Sequence, residues 1–238
     1  VPSRLPSSTR HGGAWTAGLL SFVLPPLCAA CRAPLAVGGP AICALCLAAL
    51  PWIRGSRCDR CGLPRHRAGG CPAREAPFAR AWAPLSYEGV ARSLVGAVKF
   101  GARLSVAELM AAHLAANLPA DLRASPAAVV VPVPPHRGRL RRRGYDPAGL
   151  IAEAFARRTE RELEPCLRRH DRLAPLKRAS VGARRAGGLR IECVTAVPRA
   201  VLLVDDVHTT GTTLGAAAAA LRDGGCQWVA AITYARTL

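Results

Sequence analysis

The stretch that decides the fold is Val201-Leu202-Leu203-Val204-Asp205-Asp206-Val207-His208-Thr209-Thr210-Gly211-Thr212-Thr213. Four apolar residues make a buried strand, two carboxylates sit where that strand is expected to end, and a Thr/Gly loop leads into a helix. Such a loop suits a phosphate. Gly211 lets backbone approach an anion closely, the threonines add hydroxyl donors, and the next helix offers free amides and the positive end of its dipole. The acidic pair would repel phosphate, so its work is different. Carboxylates accept hydrogen bonds from sugar hydroxyls or hold Mg²⁺ through its waters. Together these features fit a sugar phosphate with magnesium. The plain alternative is a strand end with an Asp cap before a helix. A Walker loop is excluded, because there is no GK[ST] and the acids precede the loop.

Outward from this segment, strands and helices alternate. Ala79–Tyr87 suits a strand, and Gly89–Phe100 and Leu104–Leu118 have helical apolar spacing. Ala128–Val133 and Ala200–Val204 read as buried parallel strands. Arg137–Tyr145 reads as a very basic loop, and Pro147–Arg158 as a helix opened by proline. Gly188–Val194 suits a strand, Thr213–Asp223 a helix ended by Gly224-Gly225, and Gln227–Ala235 a last strand. The alternation implies an α/β domain with a mostly parallel sheet, whose ligands bind at the carboxyl ends of the strands.

The 238 residues carry 33 Lys+Arg against 15 Asp+Glu, a formal charge of +18, and half of them are hydrophobic. That excludes a wholly disordered chain and favours phosphate-bearing partners over cationic ones. Only Lys99 and Lys177 are lysines, and the arginine bias, with the alanine-rich helices, resembles the coding of a GC-rich genome. Residues 136–190 hold 16 Lys+Arg and 6 Asp+Glu. Arg137, Arg139, Arg141, Arg142 and Arg143 suit closure over pyrophosphate, since guanidinium forks match phosphate oxygens. They equally suit a nucleic-acid backbone or a solvated face. Arg157, Arg158, Arg161, Arg168 and Arg169 suit the surface. Only Tyr145 and Phe155 supply aromatics in this stretch, too few for a base-stacking channel.

Seven of the 10 cysteines lie between Cys28 and Cys71. Cys28, Cys31, Cys43 and Cys46 form two CxxC pairs, the four-thiolate pattern of a structural zinc site. Such a site has no open position, so it is a scaffold. A redox CxxC is the lesser alternative. Cys58, Cys61 and Cys71 make a second, incomplete cluster, with His66 a candidate fourth ligand. Metal-binding cysteines favour a reducing, cytoplasmic setting. Cys166, Cys193 and Cys226 read as buried small hydrophobes, and Trp15, Trp52, Trp82 and Trp228 as core. The expected organisation is a tail and short helix over 1–24, a zinc-ribbon module over 25–77 and an α/β domain over 78–238. Arg4 and Arg10 before the apolar stretch Ala14–Leu24 imitate a signal peptide, but a short amphipathic helix stopped by Pro25-Pro26 is preferred. No membrane span is expected.

The chain resembles the type I phosphoribosyltransferases through Val201–Thr213, and more widely the ComF family of competence proteins, named for DNA uptake. The matching pieces are the CxxC pairs; Tyr87-Glu-Gly with Val98-Lys99-Phe100; Val131-Pro132-Val133-Pro134 with His136-Arg137; Arg143-Gly144-Tyr145; and Ala235-Arg236-Thr237. They cover about residues 20–238. The resemblance implies a type I phosphoribosyltransferase-like sheet and binding of phosphoribosyl pyrophosphate (PRPP) with Mg²⁺. Asp205 and Asp206 would contact the ribose hydroxyls. Val207, His208, Thr209, Thr210, Gly211, Thr212 and Thr213 would form the phosphate loop. Lys99, His136, Arg137 and Arg143 would approach the pyrophosphate. His208 and Lys99 also read as an ordinary loop residue and a surface lysine.

Three departures stand against the family pattern. Asp146-Pro147 replaces the usual Asn-Gln, the downstream Gln and Asn give way to Leu176 or Lys177 and to Gly187, and Arg74 stands where a further cysteine is usual. The first two leave the cradle intact and weaken what can be carried over about the acceptor and about turnover. Three functions follow as expectations: a phosphoribosyltransferase, a single-stranded-DNA-binding protein working with DNA-uptake proteins, and a PRPP-sensing regulator.

Overall fold

The computed structural model describes residues 25–64, 66, 70–101, 104–125, 128–170 and 189–238. The expected helix in 1–24, Trp15 and the departures at 176, 177 and 187 lie outside them. In chain order the elements are α1 (Ala44–Ala48), β1 (Arg80–Trp82), β2 (Leu85–Ser86), α2 (Gly89–Phe100), α3 (Leu104–Asn117), α4 (Ala120–Arg123), β3 (Val129–Pro132), α5 (Arg137–Arg143), α6 (Pro147–Arg158), β4 (Leu167–His170), β5 (Arg190–Cys193), β6 (Ala200–His208), α7 (Thr212–Asp223) and β7 (Trp228–Arg236).

A five-stranded, all-parallel sheet runs β1-β7-β6-β3, with β2 also paired to β7. Along β6 the side chains alternate, as a strand covered on both faces requires. Leu202 and Val204 enter one core, with residues of α2, α3 and α6. Val201 and Leu203 enter the other, with Leu214, Ala217, Ala218 and Leu221 of α7. The cysteine-rich segment feeds both. Cys28, Ile42 and Cys46 join the first core, and Cys61, Ala73 and Phe78 join the second. An antiparallel β4–β5 pair lies apart from the sheet.

Several elements differ from the sequence reading. The strand expected over Ala79–Tyr87 is two short strands divided at Ala83-Pro84, where proline removes a ladder donor; the Pro84 carbonyl instead accepts from Ile53 N–H at 2.9 Å. The basic segment after Pro134 is not a loop but the helix α5. With Leu140 its only large apolar residue, it shows no apolar period, yet arginine is a good helix former. His136 caps it, Nδ1 accepting from Gly138 N–H at 3.1 Å, and left-handed Gly144 (φ 80°) ends it. β4 was not foreseen, since Leu-Arg-Arg-His lacks strand alternation. The strand expected to stop at Val204 continues to His208, held by β7 through the pairs Asp205↔Thr233, Val207↔Ala235 and His208↔Arg236. Trp82 is buried, and Trp52 and Trp228 are half-buried.

Leu202 is fully buried in the central strand. Leu202→Ala is expected to lower the unfolding free energy by about 2–5 kcal/mol, read by denaturant titration; a change below about 1 kcal/mol would contradict this packing.

Candidate functional site

β3 stops at Pro132, opposite Val204, while β6 runs on through Asp205 and Asp206. The overhang opens a crevice of about 200 Å³ at the carboxyl ends of the strands, where open α/β sheets bind ligands. Both carboxylates line it. Opposite them stand Lys99 from the last turn of α2, His136, Arg139 and Arg143 of the α5 segment, and Asp146 at the start of α6.

The charges are interleaved. Lys99 Nζ lies 2.9 Å from Asp206 Oδ1. Asp205 Oδ1 accepts from the Asp206 N–H at 2.8 Å. Burial, then the neighbouring Asp206 charge, holds the Asp205 carboxyl well above the usual carboxylate range. Asp146 Oδ1 caps α6, accepting from Ala148 N–H at 3.1 Å beside Pro147 at the helix start. Burial pushes the Asp146 carboxyl up to about 6, against the pull of the Gly149 and Ala148 amides, and the Asp206 charge adds to the rise. The guanidinium of Arg143 lies 5.0 Å over the Phe100 ring, a cation–π contact that orients it.

The loop closes one end of the crevice. Val207, Thr209 and Thr213 line it, whereas Thr210, Gly211 and Thr212 form the turn. Thr210 and Thr212 hydroxyls are 2.9 Å apart. Gly211 is the N-cap of α7 at φ 78°, so the cap position offers no side-chain acceptor to the first-turn amides. A Cβ there would lie 2.8 Å from His208 Nε2, so Gly211 is required by conformation and by space. His208 is buried and turned away from the crevice, its ring edge-on to Phe78 at 6.4 Å. Burial, then Arg236, lowers it to about 4, leaving it neutral at pH 7.

The crevice therefore gathers Asp205, Asp206, Val207, Thr209, Thr213, Lys99, His136, Arg139 and Arg143 of the residues singled out in the sequence. Arg137 stands outside on the exposed side of α5. Two further residues join. Asp146 carried only the signal of a departure from the family pattern. Arg169, read as surface, is brought to the wall by β4, and nothing local marked it. Arg157 and Arg158 pair with Glu108 at the surface, as expected of solvated arginines. Cys166 and Cys226 are buried and Cys193 half-buried.

The first cysteine cluster has the geometry of a metal site. Cys28, Cys31, Cys43 and Cys46 bring their Sγ atoms within 4.8 Å of one another, and Cys31 and Cys43 Sγ are 3.7 Å apart. Tetrahedral zinc with Zn–S near 2.3 Å needs S···S edges of about 3.8 Å. The amides of Cys43 and Cys46 point at the Cys28 and Cys43 sulfurs at 3.4 and 3.5 Å. Burial and the neighbouring thiols push Cys46 up to about 12, a crowding that a bound divalent cation relieves. The four residues have the donor set and the geometry that a structural zinc ion requires. Cys58, Cys61, His66 and Cys71 converge in the same way.

Fold and site thus define a cysteine-rich zinc-binding module built into a parallel α/β domain. Residues 19–75 match the double zinc ribbon domain. The chain is similar to the DNA utilization protein YhgH of Salmonella typhi, 28% identical over 238 residues, covering 91% of this chain and 100% of the relative. It is also 26% identical over 227 residues to the protein of that name in Escherichia coli strain K12, again covering 91% and 100%. Among the described residues no helix is long and apolar enough to cross a membrane.

Because its folded-state value lies above the ordinary 3.8, ionised Asp146 costs stability; the cost is absent below about pH 4 and complete above about pH 6. Asp146→Asn keeps a good cap and removes the charge. It is expected to be more stable than the wild type at pH 7.5, with the difference vanishing near pH 4. Thermal unfolding across that range checks this; a variant less stable at pH 7.5 would contradict it.

Proposed function

We propose that the crevice binds a phosphoribosyl compound, PRPP with Mg²⁺, and that the protein serves the handling of DNA. The observation that carries the first part is the placement of Asp205 and Asp206 on the β6 overhang, between the Thr209–Thr213 turn and the cations Lys99, Arg139 and Arg143, with the His136 imidazole beside them. In this reading the turn and the α7 amides hold the 5′-phosphate, the acidic pair faces the ribose hydroxyls, and the cations face the pyrophosphate. Asp205 and Asp206 would hold Mg²⁺, which shields the pyrophosphate charge. Their mutual repulsion in a buried setting is what a divalent cation offsets.

Transfer fits the same arrangement. The bond from sugar C1′ to the pyrophosphate oxygen breaks with its electron pair leaving on pyrophosphate, while an acceptor bonds to C1′. The chain's contribution is positioning and neutralisation of the leaving group. Asp146, where the resembled family has an amide, places a third carboxylate at this wall and alters the acceptor side.

Calorimetry with PRPP, with and without Mg²⁺, tests the reading. Wild-type binding that is lost in Asp205→Ala/Asp206→Ala and weakened roughly 10- to 100-fold in Lys99→Ala is expected. A wild type that does not bind PRPP overturns it. Pyrophosphate release then separates an enzyme from a sensor.

A second reading, contact with single-stranded DNA, draws support from the exposed Arg137, Arg139, Arg141 and Arg142 on α5 and from the name of the similar proteins. Backbone contact predicts affinity that falls steeply with salt and a slope reduced in Arg141→Ala/Arg142→Ala. A slope near zero in the wild type contradicts it.

A further inference from the structure

The second cysteine cluster faces the back of the phosphate loop, and one buried arginine stands between them. Cys58, Cys61 and Cys71 Sγ and a ring nitrogen of His66 lie within 4.8 Å of one another. Cys58 and Cys71 sulfurs are 3.9 Å apart, and Cys61 Sγ is 3.2 Å from His66 Nε2. A zinc tetrahedron of three sulfurs and one nitrogen asks for edges of about 3.8 and 3.5 Å. His66 thus occupies the ligand position that Arg74 leaves unfilled.

Arg236, the last residue of β7, is only 4% exposed. No carboxylate lies within ion-pair distance of it among the described residues. Its Nη1 donates to the carbonyl of Cys61, itself a ligand of the cluster. A buried charge without a counter-charge is costly. Three thiolates, one neutral imidazole and Zn²⁺ sum to a single negative charge, which one guanidinium cancels. Four thiolates with Zn²⁺ sum to two negative charges; that set belongs to the first cluster, whose Cys31 reaches solvent.

The same residue stands beside the strand that leads into the loop. Arg236 is the register partner of His208, and Thr237 N–H donates to the His208 carbonyl at 3.0 Å. His208 lies against Phe78 and beneath Gly211, where a Cβ would reach its Nε2 at 2.8 Å. Cys61, Phe78, His208, Gly211 and Arg236 line one cavity of about 340 Å³ between cluster and loop. We propose that Cys58, Cys61, His66 and Cys71 hold a zinc ion whose charge Arg236 neutralises, and that this pair braces the Thr209–Gly211 turn from behind.

The test is independent of any phosphoribosyl ligand. Metal analysis of the full chain is expected to give two zinc ions in the wild type and one in His66→Ala. Chelator extraction of Arg236→Gln is expected to release one zinc at least tenfold faster than in the wild type, the other at an unchanged rate. Arg236→Lys keeps the charge and is expected to hold zinc nearly as the wild type does. Hydrogen exchange of the peptide covering residues 205–213 is expected to rise in His66→Ala, with exchange in β3 unchanged, which also shows that the variant is folded. One zinc in the wild type, equal release from Arg236→Gln, Arg236→Lys releasing zinc as Arg236→Gln does, or unchanged exchange over 205–213 would overturn the proposal.

Discussion

The pairing of β6 with β7 beyond the end of β3 is the constraint on which the rest depends. Beyond Val204, β6 is paired on one side only, through Asp205, Val207 and His208 to β7. That one-sided ladder carries two carboxylates past the covered sheet into an open crevice, then delivers the chain to a left-handed Gly211 and the N-terminus of α7. Had β3 run equally far, the acids would lie against a neighbouring strand. Had β7 ended with β3, nothing would hold the loop in register. Backbone hydrogen bonds to β7 supply rigidity while the missing neighbour supplies access.

The crevice holds charges of both signs close together. Asp206 is matched by Lys99, whereas Asp205 and Asp146 are held partly against ionisation by burial and by the neighbouring acids. The arginine-rich helix α5 forms the facing wall, and Arg143 is set there by the Phe100 ring. The proposed polyanionic ligand with a divalent cation would complement both halves, the anion meeting the guanidinium wall and the cation the acids. On the other side of the turn, His208 is neutral and packed against Phe78. The loop therefore has a charged front and a back of buried His208 and Phe78 beside the cysteine-rich module, which enters both hydrophobic cores.

Much of this was legible in order along the chain. Val201–Val204 announced a buried strand, Pro147 a helix start and Gly211 a turn, because each depends on local chemistry: continuous β-branched and aliphatic side chains, a fixed φ, a missing Cβ. The CxxC spacing announced a thiolate site because two cysteines three positions apart on a knuckle bring their sulfurs near a tetrahedral edge. The errors have an equally local cause. Arg137–Arg143 has no apolar period, so its helix depends on a histidine cap and on docking over the crevice. Pro84 split a strand that hydrophobicity alone drew as continuous. β4 became a strand only by pairing with β5.

What the sequence alone determined was the kind of chemistry present: an acidic pair before a Thr/Gly turn, four thiols at zinc spacing, an excess of arginine, and the alternation that makes a parallel sheet. Only the tertiary structure decided which of these groups meet. It brought Lys99 to Asp206 across 107 positions of the chain, set Asp146 and Arg169 into the same wall, turned His208 away from it, closed His66 onto three cysteines, and placed Arg236 behind the loop. Proximity between distant residues follows from strand order and from where each strand stops, and neither is written in local propensity. A residue's type sets what it can do, and the lengths of β3, β6 and β7 set what it does it to.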